Sequence, residues 1–144
     1  MKTVTVLGLL FILICFSAGA ASAAEGAWVL VDEDPMLSNY YYDETSVAEV
    51  DGDLVAVRTK AVYTEDGRDD ALDTIGHPRG FEDLSSTAFL YIIDCPGNMS
   101  RLEKITHYDS KGRAIKSYDL SGRTDWEPID SETRMSLLHD AVCD

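Results

Sequence analysis

The chain has 144 residues, with 26 Asp and Glu against 12 Lys and Arg, a net charge of −14. That imbalance repels nucleic acid and anionic membrane surfaces and argues against both as partners. The length suits a single domain with one hydrophobic core.

The first segment has the order of a secretory signal peptide. Lys2 is the positive end, Val4 to Phe16 is a nearly unbroken apolar run, and small residues follow from Ser17 to Ala24. The run falls short of the roughly 20 residues needed to cross a bilayer. Residues 1–23 are therefore expected to be removed, and 24–144 to fold as the mature domain. Cys15 leaves with the signal, because Ile12, Leu13 and Ile14 before it are too bulky for a lipid-attachment site. After removal, 11 basic residues stand against 26 acidic ones, a net charge of −15. The protein is expected to be exported, to the periplasm or to the cell surface and exterior.

The mature sequence reads as short strands separated by turns. Trp28 to Val31 is apolar and strand-like, and the acidic, Pro35-containing stretch Asp32 to Ser38 is a loop. Asn39 to Asp43, with Tyr40, Tyr41 and Tyr42, is a second strand. Glu44 to Glu49 is a connector of about one helical turn. Asp51-Gly52-Asp53 makes a turn, and Leu54 to Tyr63 is a long strand with Arg58 and Lys60 on the face opposite Val57, Thr59 and Ala61. Glu65-Asp66-Gly67 is expected to end it. Arg68 to Ser86 shows no clean period and is expected to be a long surface loop, with at most a helical turn near Asp70-Ala71-Leu72.

Thr87 to Cys95 is apolar on both faces, the signature of a central strand covered on both sides. Cys95 to Asn98 turns it into a return strand, Met99 to Tyr108, and Asp109 to Gly112 leads to a strand over Arg113 to Leu120. Leu120 to Asp125 is a polar loop. Trp126 to Ile129 precedes an amphipathic helix marked by Met135, Leu138 and Val142, with Asp130 or Ser131 as its cap. Two cysteines remain after signal removal, Cys95 and Cys143. In an oxidising compartment an even count reads as a disulfide, here one that pins the end of the helix beside the central strand. The fold class is α+β: an antiparallel meander with a C-terminal α-helix packed on one face and one disulfide.

No catalytic constellation emerges. His107 has Asp109 and Ser110 nearby but no nucleophile elbow, and His139 lies on the polar side of the helix near Asp140. His77 has no nucleophile beside it either. The acidic runs Asp32-Glu33-Asp34, Asp51-Gly52-Asp53 and Glu65-Asp66-Gly67, like Asp69, Asp70 and Asp73, do not fit a calcium-loop template and read as solvated carboxylates. The chain is expected not to be an enzyme and to need no metal or cofactor. Asn98-Met99-Ser100 is a glycosylation sequon of the kind that occurs by chance. Aromatic and cationic residues make the candidate partner surface: Tyr40, Tyr42, Arg58 and Lys60.

Trp28, Tyr41-Tyr42-Asp43, Ser46-Val47, Gly52 and the strand Val55 to Val62 form an ordered series of short motifs. It continues through Ile93-Asp94-Cys95, Tyr108-Asp109-Ser110 with Gly112, Trp126-Glu127-Pro128-Ile129 and Ala141-Val142-Cys143. In this order the series resembles the bacterial surface-adhesin protein E family over nearly the whole mature chain. The resemblance implies an antiparallel sheet with packed helices, the Cys95–Cys143 bond and export. It implies an adhesin that holds a protein partner, the best-known member binding host matrix and serum proteins. The competing expectation is a periplasmic accessory domain, self-associating as a homodimer through an edge strand.

Overall fold

A computed structural model describes residues 26–143. The expected signal segment 1–23 and its cleavage site lie outside the described residues. The strands are β1 (Trp28–Asp34), β2 (Ser38–Asp43), β3 (Ala48–Asp51), β4 (Leu54–Tyr63), β5 (Leu84–Asp94), β6 (Met99–Asp109), β7 (Ala114–Asp119) and β8 (Glu127–Pro128). Two α-helices join them, α1 (Glu65–Ile75) and α2 (Arg134–Val142), and a 3-10 turn spans Glu44–Ser46. All pairings are antiparallel. The path runs β1-β2-β4-β5-β6-β7, with β3 beside the start of β4 and β8 beside the start of β6. The expected α+β meander with a C-terminal helix and one disulfide is what the chain forms.

The register decides the two faces. Val57 sits opposite Tyr91, Thr59 opposite Phe89 and Ala61 opposite Thr87, while Tyr40 and Tyr42 of β2 lie opposite Ala61 and Thr59. Side chains directly opposite share a face, so these make the inner face. Val57 and Ile93 are fully buried there against Ile129 and Leu138, with Met135, Val142, Val31 and Tyr42 packed around them. A second cluster, Leu72, Phe81 and Leu84 with Tyr63, Ala71 and Ile115, fills the other end of the sheet. Both helices draw on inner-face residues, and among the described residues none lies over the outer face.

α2 is nine residues long, too short to persist alone. Thr133 caps it, its hydroxyl accepting from the Ser136 N–H while the Ser136 hydroxyl accepts from the Thr133 N–H. This capping box replaces the cap expected at Asp130 or Ser131. Three further ties hold the helix down. Arg134 donates through Nε to Asp32 (2.7 Å) and through both terminal nitrogens to the Ser38 hydroxyl and carbonyl (2.7 Å each). His139 Nε2 meets the Cys95 carbonyl at 3.1 Å. Cys143 bonds Cys95, 48 positions away, with Cα atoms 5.6 Å apart.

The expected loop at Arg68–Ser86 is replaced by α1, a turn region and the first residues of β5. Glu65-Asp66-Gly67 starts the helix rather than ending the strand. Thr64 is its cap: the hydroxyl accepts from the Gly67 N–H and donates to the carbonyls of Met36 and Leu37. Gly67 is the reason a turn-like sequence is helical here. It is buried with its Cα facing the Leu37 carbonyl, and a Cβ would overlap that oxygen. Gly76 closes the helix with φ of 80°, the left-handed conformation glycine adopts freely.

Replacing Gly67 by Ala is expected to destabilise the protein by about 1–3 kcal/mol, as overpacking does, against the roughly 1 kcal/mol gain that helix propensity alone gives. Urea titration of the two forms checks the sign. Leu138→Ala is expected to cost about 2–5 kcal/mol, because the side chain is fully buried. Cys95→Ser is expected to cost about 2–5 kcal/mol. A melting temperature unmoved by reductant would contradict the last prediction.

Candidate binding surface

The outer face is built around β5. Ala88, Leu90 and Ile92 point outward, paired with Lys60, Arg58 and Ala56 of β4 and with Thr106, Lys104 and Arg101 of β6. None of these three apolar residues is fully buried and none is exposed. The flanking stretches carry long basic side chains, whose methylene stems cover apolar surface while the charges stay in water. The tryptophans fix those stems. Lys60 Nζ lies 4.1 Å from the Trp28 ring centroid and the Arg58 guanidinium 5.6 Å. Arg101 lies 4.7 Å from Trp126. Tyr41, opposite Lys60, adds a further ring at 5.6 Å. Each such contact contributes about 0.5–1 kcal/mol at an exposed site.

Asp43 anchors this group. It is 2% exposed, and its carboxylate takes a 2.6 Å contact from Arg58 Nη2, the Thr45 N–H at 3.1 Å and the Thr45 hydroxyl at 2.6 Å. Burial alone would raise its pKa, but the hydrogen bonds from Thr45 and Arg58, with the guanidinium charge, outweigh burial and hold the carboxyl below its ordinary value. A Cβ at Gly26 would overlap the same carboxylate, so the chain entering β1 is pressed against it. Between Trp28, Arg58 and Lys60 on one side and Tyr108 and Gly112 on the other, a cleft of about 220 Å³ opens over Ser86 and Ala88. A larger hollow beside the disulfide, about 490 Å³, is lined by Glu49, Asp53, His139 and Asp140, with no Phe, Tyr or Trp in its wall.

The four residues expected on one partner surface fall on opposite faces. Arg58 and Lys60 are on the outer face, whereas Tyr40 and Tyr42 point inward. Tyr40 is 5% exposed, its hydroxyl donates to Thr59 at 2.8 Å, and burial pushes its pKa up to about 12. Tyr42 packs on the Val57–Leu138 cluster. The side chains that join Arg58 and Lys60 are Tyr41 and Trp28. Strand parity carried the signal for Tyr41. Trp28 was invisible as a surface residue because it sits at a strand start and reaches across β2 to β4.

The histidines are dispersed. His107 Nδ1 bonds the Thr87 hydroxyl at 2.8 Å, and that oxygen accepts from the Tyr63 hydroxyl at 2.9 Å. Phe81 and Tyr118 stand edge-on to the imidazole. Ser110 bonds Asp83 instead, and Asp109 pairs with Arg113, so the sequence neighbours do not converge. His77 pairs with Asp73 on exposed surface. The Asn98 amide donates to the Ile129 carbonyl at 3.0 Å, which occupies the group a glycan would need. Among the described residues, no three His, Cys, Asp or Glu side chains converge to hold a metal ion. No described helix is long and apolar enough to cross a membrane.

Burial holds the His107 imidazole below its ordinary pKa, so the unfolded chain binds that proton more tightly than the folded one. This contribution to stability is complete above the unfolded value of about 6.5 and is lost as pH falls below it. Denaturation at about pH 7.5 and about pH 5.5 should show a larger loss for the wild type than for His107→Gln. Equal losses would contradict it.

No curated protein matches the chain. The model of the surface-adhesin protein E family matches residues 28–144, the whole span from Trp28 through both helices and the disulfide. The chain belongs to the surface-adhesin protein E family.

Proposed function

We propose that the protein is an exported, non-enzymatic binding protein of the bacterial cell envelope, which holds a protein partner on the outer face of its sheet. The observation that carries this reading is the cluster Trp28, Tyr41, Arg58 and Lys60 on the face that neither described helix covers. Aromatic and arginine side chains, held rigidly and partly exposed, are the groups that dominate binding energy in protein interfaces. Family membership supports a partner-binding role. The signal-like segment at 1–23 supports export, with the mature domain at 24–144. On this reading Trp28 and Tyr41 join Arg58 and Lys60 on the partner surface in place of Tyr40 and Tyr42, which are inward-facing.

A second reading is a periplasmic accessory domain that self-associates. The observation in its favour is that, among the described residues, β1 and β7 each leave one edge of the sheet without a strand partner, and open edges invite pairing.

Surface plasmon resonance of mature, oxidised protein against a panel of matrix, serum and envelope proteins tests the first reading. A saturable partner is expected, with affinity lowered at least tenfold, about 1.4 kcal/mol, in Trp28→Ala. Binding unchanged by Trp28→Ala would move the site off this face. A panel with no binder, together with a concentration-dependent dimer in sedimentation, would favour the accessory domain.

A further inference from the structure

We infer that the cleft between Trp28 and Tyr108 takes an acidic side chain from an extended segment of a protein partner, with Arg58 and Lys60 reading alternate carboxylates. This rests on the partner-binding reading above and names the chemistry of the partner.

Three observations converge. First, Arg58 and Lys60 occupy alternate positions of β4 on one face. They are therefore spaced by two strand residues, about 6.6–6.8 Å. An extended peptide laid along β4 presents its own alternate side chains at that same interval. A sequence of the type acidic-x-acidic thus matches both cations at once, whereas a single free carboxylate meets only one.

Second, the cleft is shaped for a side chain. Its floor is Ser86 and Ala88, small residues between the tall walls of Trp28 and Tyr108, and its volume is about 220 Å³. A glutamate side chain fits, with its methylenes against the rings and its carboxylate toward the basic wall. The Trp28–Lys60 and Trp28–Arg58 stacks already hold that wall in place, so little side-chain entropy remains to be lost on binding.

Third, the charge of the molecule is segregated. The chain is strongly acidic overall, yet the outer face of β4 and β6 carries Arg58, Lys60, Arg101 and Lys104, with Arg58 paired to Asp43, Arg101 to Glu103, and Lys104 opposite Asp119. The carboxylates are dense elsewhere: α1, on the inner side of the sheet, holds five of them in eleven residues. An acidic partner is repelled by the carboxylates of α1 and finds Arg58 and Lys60 side by side on the outer face, which favours approach from that side.

The test is calorimetric titration of oxidised mature protein with a capped peptide alternating Glu and Gly, its Gln-for-Glu counterpart, and a sulfated polysaccharide. The Glu peptide is expected to bind, and the Gln peptide is not. Raising NaCl from about 50 to about 500 mM should weaken the interaction strongly, since both charges sit at the surface. Lys60→Gln should lower affinity roughly tenfold, one charge-assisted contact being lost, while a cooperative thermal transition shows that the variant still folds. Lys116→Gln, on the edge strand β7, should leave it unaltered. Equal binding by both peptides, indifference to Lys60→Gln, or binding of the polysaccharide alone would overturn the inference. A protein partner held through Trp28 that the Glu peptide fails to displace would overturn it while leaving the partner-binding reading intact.

Discussion

Everything in this fold answers to one constraint: β5 is apolar on both faces. Thr87, Phe89, Tyr91 and Ile93 face one way and Ala88, Leu90 and Ile92 the other. A strand of that kind is stable only if both sides are shielded from water. The inner side is shielded in the ordinary way, by α2 and by the cluster under α1. Among the described residues no helix lies over the outer side, where Trp28 holds the side chains of Arg58 and Lys60 and Trp126 holds that of Arg101. The side chains that cover the sheet there are the ones proposed above to meet a partner.

Most of the sheet was legible because its signals are local. Period-two alternation placed Arg58 and Lys60 opposite Val57, Thr59 and Ala61, and those three are indeed 0%, 0% and 7% exposed. The apolar run marked the central strand, and the cysteine count marked the disulfide. What escaped was α1. Its sequence carries five carboxylates, a glycine in the first turn and only Ala71 and Leu72 facing the core, so neither composition nor period announced a helix. Its stability comes from Thr64 and Gly67 docking on the carbonyls of Met36 and Leu37, contacts made across the β1–β2 turn. No local rule encodes them.

The candidate surface was half legible for a related reason. The sequence offered aromatic and cationic residues for it, and strand alternation puts Tyr41 on the face opposite Tyr40 and Tyr42. Which parity faces out depends on where the helices pack. Arg134 settles that by reaching from α2 to Asp32 and Ser38 at the β1–β2 end. The guanidinium also lies over the Tyr40 ring at 5.5 Å. With that end of α2 fixed on the inner side, Tyr40 and Tyr42 are committed to the core, and Trp28 and Tyr41 are left outside.

The bond between Cys95 and Cys143 also orders events in time. A ribosome delivers the chain from its N-terminus, so the whole meander exists before Leu138 and Cys143 do. Until they arrive, Val57 and Ile93 have no lid, Cys95 has no partner, and one side of the central strand stays wet. The lid over Val57 and Ile93 and the covalent lock thus both wait on the last residues of the chain.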